Sequence, residues 1–85
     1  MTYEVIIENA ARKDFRRLVH PWDDAIKKSI SGLESNPRPH GVKKLSGHKD
    51  GYRVRVGDFR ILFTLEEHRK VVTIFRIRHR SEVYR

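Results

Sequence analysis

The segment YRVRVGDFRILF, residues 52–63, has the pattern of a β-hairpin in which apolar and basic side chains alternate. The dipeptide Gly57-Asp58 is a turn signal between two runs that are rich in β-branched and aromatic residues. Because successive side chains of a strand point to opposite sides, one face of this hairpin is apolar and the other is basic. The basic face carries Arg53, Arg55 and Arg60.

A two-residue turn also determines which residues of the two strands lie opposite each other. The predicted pairs are Val56 with Phe59, Arg55 with Arg60, Val54 with Ile61, and Arg53 with Leu62. Like charges that face each other directly across a sheet are destabilising. We therefore expect an anionic group, most simply a phosphate, to offset the repulsion on the basic face.

The rest of the chain predicts an α+β fold with the order β-α-α-β-β-β. Residues 2–8 alternate as a short strand, and residues 10–19 carry apolar positions at helical spacing, with Asn9 as the expected cap. A second helix begins at the His-Pro break and has Pro21 in its first turn. Both helices are expected to cover the apolar face of a small antiparallel sheet, in one domain that spans residues 1–85.

The last strand is predicted at residues 71–78, and a basic loop at 40–51 is expected to contain a short edge strand at 42–46. Strict alternation along the last strand groups four residues with the hairpin arginines. They are Val72, Ile74, Arg76 and Arg78. This parity leaves Leu62, Val72 and Ile74 as apolar residues on the basic face.

Composition favours a polyanionic partner. The formal net charge is +8 and the isoelectric point is about 10.3. Residues 51–85 hold eight arginines and one lysine against four acidic residues, and the guanidinium fork matches phosphate oxygens in a bidentate manner. The sequence has no cysteine, no signal-like segment and no apolar run of membrane-spanning length, so we expect a cytoplasmic protein without membrane contact, cofactor or metal.

The end of the chain, RIRHRSEVYR at 76–85, adds residues of a different chemistry where the last strand leaves the sheet. Histidine exchanges a proton near neutral pH, and tyrosine can stack on a base or position a hydroxyl group. His79 is flanked by arginines, unlike the histidines at 20, 40, 48 and 68, which we interpret as surface residues. The candidate site residues in this segment are Arg78, His79, Arg80 and Tyr84.

The hairpin motif, followed by a final strand and IRHRSEVYR, closely resembles the RelE/ParE toxin superfamily, and within it the RelE-type messenger-RNA interferases of toxin–antitoxin modules. The resemblance covers nearly the whole chain. It implies a fold similar to that of small microbial ribonucleases and a toxin that cleaves messenger RNA in the ribosomal A site without a metal. The implied partners are a cognate antitoxin, messenger RNA and the ribosome, with operator DNA contacted only indirectly through the antitoxin complex.

The resemblance also implies site residues by position. The basic residues of the hairpin correspond to Arg53, Arg55 and Arg60, and those after the last strand to Arg78, His79 or Arg80, and Tyr84. The best-known members carry lysines where this chain has Arg53 and Arg55, and arginine is a poor general base because it stays protonated. His79 is therefore the candidate general base or acid, or alternatively a residue that positions RNA while ribosomal groups assist.

A second class of function fits the same charge pattern. A non-catalytic protein, either a ParE-like gyrase-directed toxin or a basic DNA-binding partner in a repressor complex, also needs a phosphate-binding arginine face. His79 and Tyr84 favour the nuclease, because simple phosphate binding requires neither residue. We further expect an antitoxin segment with acidic residues to cover the arginine face or an adjacent helix groove.

Overall fold

The computed structural model describes residues 2–83 and shows one five-stranded sheet with helices on one side. The strands are β1 (Glu4–Ile7), β2 (Lys43–Lys44), β3 (Gly51–Val56), β4 (Phe59–Glu66) and β5 (Val71–His79). The helices are α1 (Asn9–Arg16), α2 (Trp22–Gly32) and the short α3 (Arg80–Val83). No helix within residues 2–83 is long and apolar enough to cross a membrane.

The strand order is β1-β5-β4-β3-β2, so the first and the last strands of the sequence pattern are neighbours. Strands β2 to β5 are antiparallel, whereas β1 lies parallel to β5 at the edge of the sheet. The predicted α+β class and helix placement are confirmed, but the predicted antiparallel sheet is mixed, because β1 pairs with β5 in parallel. The predicted edge strand at 42–46 exists as the two-residue β2.

The hairpin has the predicted register at all four pairs, including Arg55 opposite Arg60. Gly57 in the turn has a φ of +59°, and a Cβ at this position would lie 2.4 Å from the Trp22 ring of α2. Glycine is thus required both by the left-handed backbone and by the close approach of the helix. The turn between the two arginine-bearing strands is therefore packed closely against Trp22 of α2.

The core lies between the helices and the apolar side of the sheet. Phe63 and Ile61 of the hairpin are fully buried, together with Ile26 of α2 and Ala11 of α1. Phe15 and Leu18 complete the predicted stripe of the first helix and pack against this cluster. Burial of these side chains supplies most of the favourable free energy of folding, at about 25 cal/mol per Å² of apolar surface.

One prediction about the last strand is wrong. Val72 and Ile74 do not lie with the arginines but are fully buried in the core. The pairing of β4 with β5 shifts between Leu62 and Phe63, so that Leu62 lies opposite Arg76 while Phe63 lies opposite Ile74. This β-bulge inserts Phe75 as an extra residue in β5. The residues of β5 before Phe75 therefore point to the faces opposite to those that strict alternation predicts.

The starts of the two helices also differ from the sequence prediction. Glu8 occupies the N-cap position of α1 without a side-chain hydrogen bond, and Asn9 is the first residue of the helix rather than its cap. Pro21 is the N-cap of α2 instead of a residue of its first turn. Asp23 and Asp24 lie in that first turn, where the positive end of the helix dipole favours carboxylates.

Candidate phosphate-binding site

Three arginines form one lateral row across the sheet, on the side away from the helices. Arg60 of β4 lies opposite Arg55 of β3 and opposite Arg78 of β5. We call these three residues the arginine row. Arg53 lies on the same face two residues before Arg55, and its partner on the edge strand is Lys43. The register therefore brings together four of the predicted site residues and adds a lysine from the loop.

Arg60 is the central residue of the arginine row and is only 7% exposed, although the sequence pattern placed it on the solvent side. Its Nη1 donates a hydrogen bond of 3.3 Å to the carbonyl oxygen of Phe59. No carboxylate of residues 2–81 forms an ion pair with Arg60. No buried side-chain nitrogen in the part of the chain that the structure describes lacks a hydrogen-bond partner, so the remaining donors of Arg60 reach solvent, where an anion from outside the described chain can contact them.

Two concavities meet at Arg60. One has a volume of about 420 Å³ and the other about 390 Å³, and Arg53 lines both. The larger is completed by Lys44, Leu45, Ser46, Leu62 and Arg78, and the smaller by Gly41, Lys43 and Arg55. The walls thus come from the sheet and from the loop around β2. Two lysines of the basic loop, Lys43 and Lys44, thus lie beside the arginines.

The loop between β2 and β3 is folded onto the arginine side of the sheet. The His48 ring stacks on Phe75, the bulge residue, with centroids 5.6 Å apart and an interplanar angle of 20°. The amide of Leu45 donates a hydrogen bond of 2.9 Å to the carbonyl of Gly51. A Cβ on Gly51 would lie 2.6 Å from the Cβ of His48, so only glycine allows this close approach.

Asp14 of α1 was not identified from the sequence, yet it fixes the strand that carries Arg78. Its carboxylate accepts hydrogen bonds from Arg76 Nε at 2.8 Å, from Arg76 Nη2 at 3.1 Å and from the amide of Ile77 at 2.9 Å. Strand β1 pairs with β5 only as far as Ile74, so Asp14 satisfies a backbone donor beyond the end of β1. This contact joins residues 62 apart in the sequence, and no local pattern reveals it.

The side chain of His79 lies on the opposite face of the sheet from that of Arg60. It pairs with Phe59, and the two rings are in edge contact with centroids 5.2 Å apart. Its Nδ1 accepts a hydrogen bond of 3.2 Å from the amide of Ser81 and lies 2.9 Å from the Ser81 hydroxyl. A neutral ring in this arrangement carries its proton on Nε2. His79 is therefore adjacent to the arginine row in sequence but not on the same face.

The other two predicted residues of the C-terminal segment have different outcomes. Arg80 is exposed, its amide donates a 2.7 Å hydrogen bond to the Asp58 carbonyl, and its guanidinium lies 3.8 Å from the Asp58 carboxylate. It links the end of β5 to the hairpin turn. Tyr84 lies outside the described residues, so its predicted role stays a prediction.

Two further features lie on the helical side. A groove of about 550 Å³ between α1 and α2 has an apolar floor that includes Phe15 and Ile30. At the start of α2, the atoms of His20, Asp23 and Asp24 that could bind a metal ion lie within 4.8 Å of one another. The spacing of the histidines in the sequence did not indicate this group. These side chains are largely exposed, and His20 Nδ1 lies 3.4 Å from each carboxylate.

Guanidinium groups that share one face can bind a phosphate and stabilise negative charge that develops on it. A guanidinium group is a poor proton acceptor. The fold and this face define a class: a small α+β protein with a row of arginines across the open face of its sheet. A catalytic reaction at this face would need its proton transfers from other groups.

Comparison with known proteins assigns the chain to a family. Residues 5–84 match the model of the ParE toxin of type II toxin–antitoxin systems. The chain is 30% identical over 88 residues to the RelE1 protein of Methanocaldococcus jannaschii, covering all of this chain and 98% of that protein. The protein therefore belongs to the ParE toxin family of type II toxin–antitoxin systems, within the RelE/ParE superfamily.

Solved structures support the same assignment. The RelE–RelB complex of Pyrococcus horikoshii contains a chain that superposes with a TM-score of 0.83 at 30% identity, covering 94% of this chain and 97% of that one. The isolated Escherichia coli RelE toxin superposes with a TM-score of 0.78 at 26% identity, covering 96% of this chain and 90% of that one. The five-stranded sheet with two helices on one side is thus shared with RelE toxins.

Proposed function

We propose that this toxin is an endoribonuclease that cleaves messenger RNA in the ribosomal A site, without a metal cofactor, and so inhibits translation. The observation that carries the proposal is the position of Arg60, whose side chain is mostly buried, lines both concavities between Arg55 and Arg78, and has no carboxylate partner in residues 2–81. The similarity to RelE toxins supports this function over that of a general phosphate-binding protein.

In the proposed reaction, the 2′-hydroxyl of a ribose attacks the adjacent phosphorus as its proton is removed. The bond from phosphorus to the 2′-oxygen forms, and the bond to the 5′-oxygen breaks as that oxygen takes up a proton. The products carry a 2′,3′-cyclic phosphate and a 5′-hydroxyl. Arg53, Arg55, Arg60 and Arg78 would hold the phosphate and stabilise the charge of the pentavalent intermediate, because they converge on one face.

His79 is the proposed proton-transfer residue, because it lies at the end of β5 next to Arg78 and an imidazole can both accept and donate a proton. Its ring faces away from the arginine row, so it would have to turn toward the bound RNA. In this role the ring would have to exchange its Nδ1 contact with Ser81 for one with RNA. His79→Gln is expected to lower the cleavage rate about a hundredfold while leaving RNA affinity unchanged. A wild-type rate in this variant from pH 5 to 8 would assign the proton transfers to the ribosome or to other residues.

Tyr84 and Arg80 complete the proposed site. Tyr84 would stack on a base or orient the phosphate through its hydroxyl group, and Tyr84→Phe separates the two roles because it keeps the ring. Arg80 would contact the backbone while remaining close to Asp58. A larger loss of rate in Tyr84→Phe than in Arg80→Ala would assign the hydroxyl a direct role.

We further propose that a cognate antitoxin binds this chain, as RelB binds RelE in the Pyrococcus horikoshii complex. An antitoxin segment with acidic residues would neutralise the arginine face or occupy the groove between α1 and α2. Operator DNA would then be contacted only through the antitoxin. A complex in which every arginine of the face stayed solvated would require inhibition at a distance.

The second candidate function is that of a gyrase-directed toxin, and the observation that favours it is the match to the ParE model. One experiment separates the two. Purified protein is incubated with a messenger RNA, with and without ribosomes, and the new 5′ ends are mapped, while gyrase-dependent cleavage of supercoiled DNA is assayed in parallel. The proposal predicts RNA ends that Arg60→Ala abolishes, and intact RNA with gyrase-dependent DNA cleavage would overturn it.

A further inference from the structure

The lining of the larger concavity beside Arg60 divides into two chemical groups. Arg53, Arg60, Arg78 and Lys44 are cationic, and Leu45 and Leu62 are apolar. Ser46 adds a hydroxyl group on the loop side. A ligand that matches both groups carries an anion joined to a flat or weakly polar body, as a nucleotide does.

The position of Leu62 supports this division. Leu62 lies opposite Arg53 in the sheet, in the row next to the arginine row, and it is half-buried on the arginine face. The hydrophobic residues on the helix side of β4, by contrast, are in the core. An apolar side chain beside a cluster of cations offers a surface against which one side of a base can pack. A guanidinium plane can then stack on the other side of that base.

The loop wall of the concavity is held in place by contacts of its own. His48 stacks on Phe75, Leu45 is hydrogen-bonded to Gly51, and Gly51 allows the loop to lie against the sheet. A fixed wall can discriminate between ligands of different shape, because a ligand that does not match the wall can bind only if the wall rearranges, which costs binding free energy. The volume of about 420 Å³ is within the usual range for small-ligand sites.

We infer that this concavity is a nucleobase subsite in which Leu45, Ser46 and Leu62 select the base next to the phosphate held at Arg60. The inference rests on the proposed function, and it goes beyond it by naming the residues that determine sequence preference. An acidic peptide segment is the competing occupant. The nucleotide is favoured because the concavity adjoins the arginine row, where the proposed function places an RNA phosphate, and because Leu45 and Leu62 offer a base an apolar surface beside the cations.

The first test measures binding and needs no catalytic activity. Leucine methyl groups are followed by NMR while the protein is titrated separately with inorganic phosphate, with each of the four nucleoside 3′-monophosphates, and with an acidic peptide. We expect nucleotides to shift the methyl signals of Leu45 and Leu62, with at least one base differing from the others, and phosphate alone to leave them unchanged. Methyl shifts with the peptide but not with nucleotides would overturn the inference.

The second test uses the mapped cleavage ends. Leu62→Ala and Leu62→Phe change the size of the apolar floor, and Ser46→Ala removes the hydroxyl group. We expect the ratio of cleavage at different bases to change about tenfold in the Leu62 variants, because pocket shape discriminates between bases by one to two orders of magnitude. The matched control is Thr64→Val, on the same strand and the same face but outside the concavity.

The outcomes separate the two proposals. RNA cleavage with an unchanged base ratio in both Leu62 variants overturns the subsite and leaves the nuclease intact. Base-dependent methyl shifts without any RNA cleavage support the subsite and overturn the nuclease. A change of base ratio in Thr64→Val equal to that in Leu62→Ala would also overturn the subsite, since it would show that any change on this face alters the preference.

Discussion

Arginines at the two ends of the sheet differ in whether a carboxylate pairs with them. At one end, Arg38 donates a 2.9 Å hydrogen bond to Glu67, which also accepts a 2.6 Å hydrogen bond from the Tyr3 hydroxyl. At the other end, Arg60 is more deeply buried than Arg38 and has no carboxylate partner in residues 2–81. Charge pairing therefore distinguishes arginines that hold the fold from those that are available to a ligand.

Two arginines of a single strand also differ in their surroundings. Arg76 of β5 is bound in a bidentate manner by Asp14, whereas Arg78, two residues further, lines the concavity together with Arg53 and Arg60. The two arginines have the same charge and parity in the sequence. The contact with α1 assigns Arg76 a structural role, and the phosphate-binding role is proposed for Arg78.

The largest effect is expected at Arg60. Arg60→Ala should reduce RNA cleavage and growth inhibition about a hundred- to a thousandfold, because it removes one preorganised donor from the developing charge. Arg38→Ala is the matched control and should retain the wild-type rate. Rates are measured on purified protein with the fold verified by circular dichroism. Equal losses in the two variants would remove the distinction between the two ends of the sheet.

Asp14 should matter for stability. Asp14→Ala is expected to lower the free energy of unfolding by roughly 2–3 kcal/mol, because it removes a carboxylate that is only 11% exposed and that accepts hydrogen bonds from Arg76 and from the Ile77 amide. Urea unfolding measures the change. Asp50→Ala, at an exposed position, is the control. A loss below about 0.5 kcal/mol, the range of ordinary surface substitutions, would contradict the structural role given to the Arg76 pair.

Arg53 and Arg55 should affect affinity more than chemistry. Each substitution by alanine is expected to reduce the slope of log affinity against log salt by about 0.7, the value for one contact with a single-stranded backbone. The measurement is the binding of an uncleavable oligonucleotide at several salt concentrations. An unchanged slope in both variants would place the RNA backbone elsewhere on the protein.

The smallest effect concerns Glu67 and pH. The hydrogen bond from Tyr3, and then that from Arg38, hold the pKa of the Glu67 carboxyl below its ordinary value. Its stabilisation is therefore complete above the unfolded-state pKa of about 4.3 and is lost as the pH falls through the lower folded-state pKa. Glu67→Gln should weaken this acid dependence slightly in thermal unfolding between pH 2 and 6. A steeper acid dependence in the variant would contradict the direction.

The local part of the fold could be predicted from the sequence because its causes are local. The turn at Gly57 sets the hairpin register, and the alternation in 52–63 separates the arginines from the core. The bulge at Phe75 could not be predicted, since an extra residue in one strand leaves no signal in the alternation of that strand alone. It accounts for the wrong placement of Val72 and Ile74.

The candidate site shows the same limit. The pattern identified the arginines of the face, but the burial of Arg60 depends on neighbours from the loop around β2 and from β5. Asp14 and Ser46 come close to the site only through tertiary packing, so no spacing in the sequence marks them. His79 follows Arg78 in the sequence, and the alternation of the strand turns it to the other face.

The central claim is that the arginines of the sheet face bind the RNA phosphate and that Arg38 and Arg76, which pair with Glu67 and Asp14, do not. The most direct measurement follows the Nε–Hε NMR signals of all arginines while the protein is titrated with an oligonucleotide that carries a 2′-deoxy residue at the cleavage position. The account predicts saturable shifts for Arg53, Arg55, Arg60 and Arg78, with Arg38 and Arg76 unchanged. Binding that shifts Arg38 and Arg76 while the arginine row stays unchanged would contradict it.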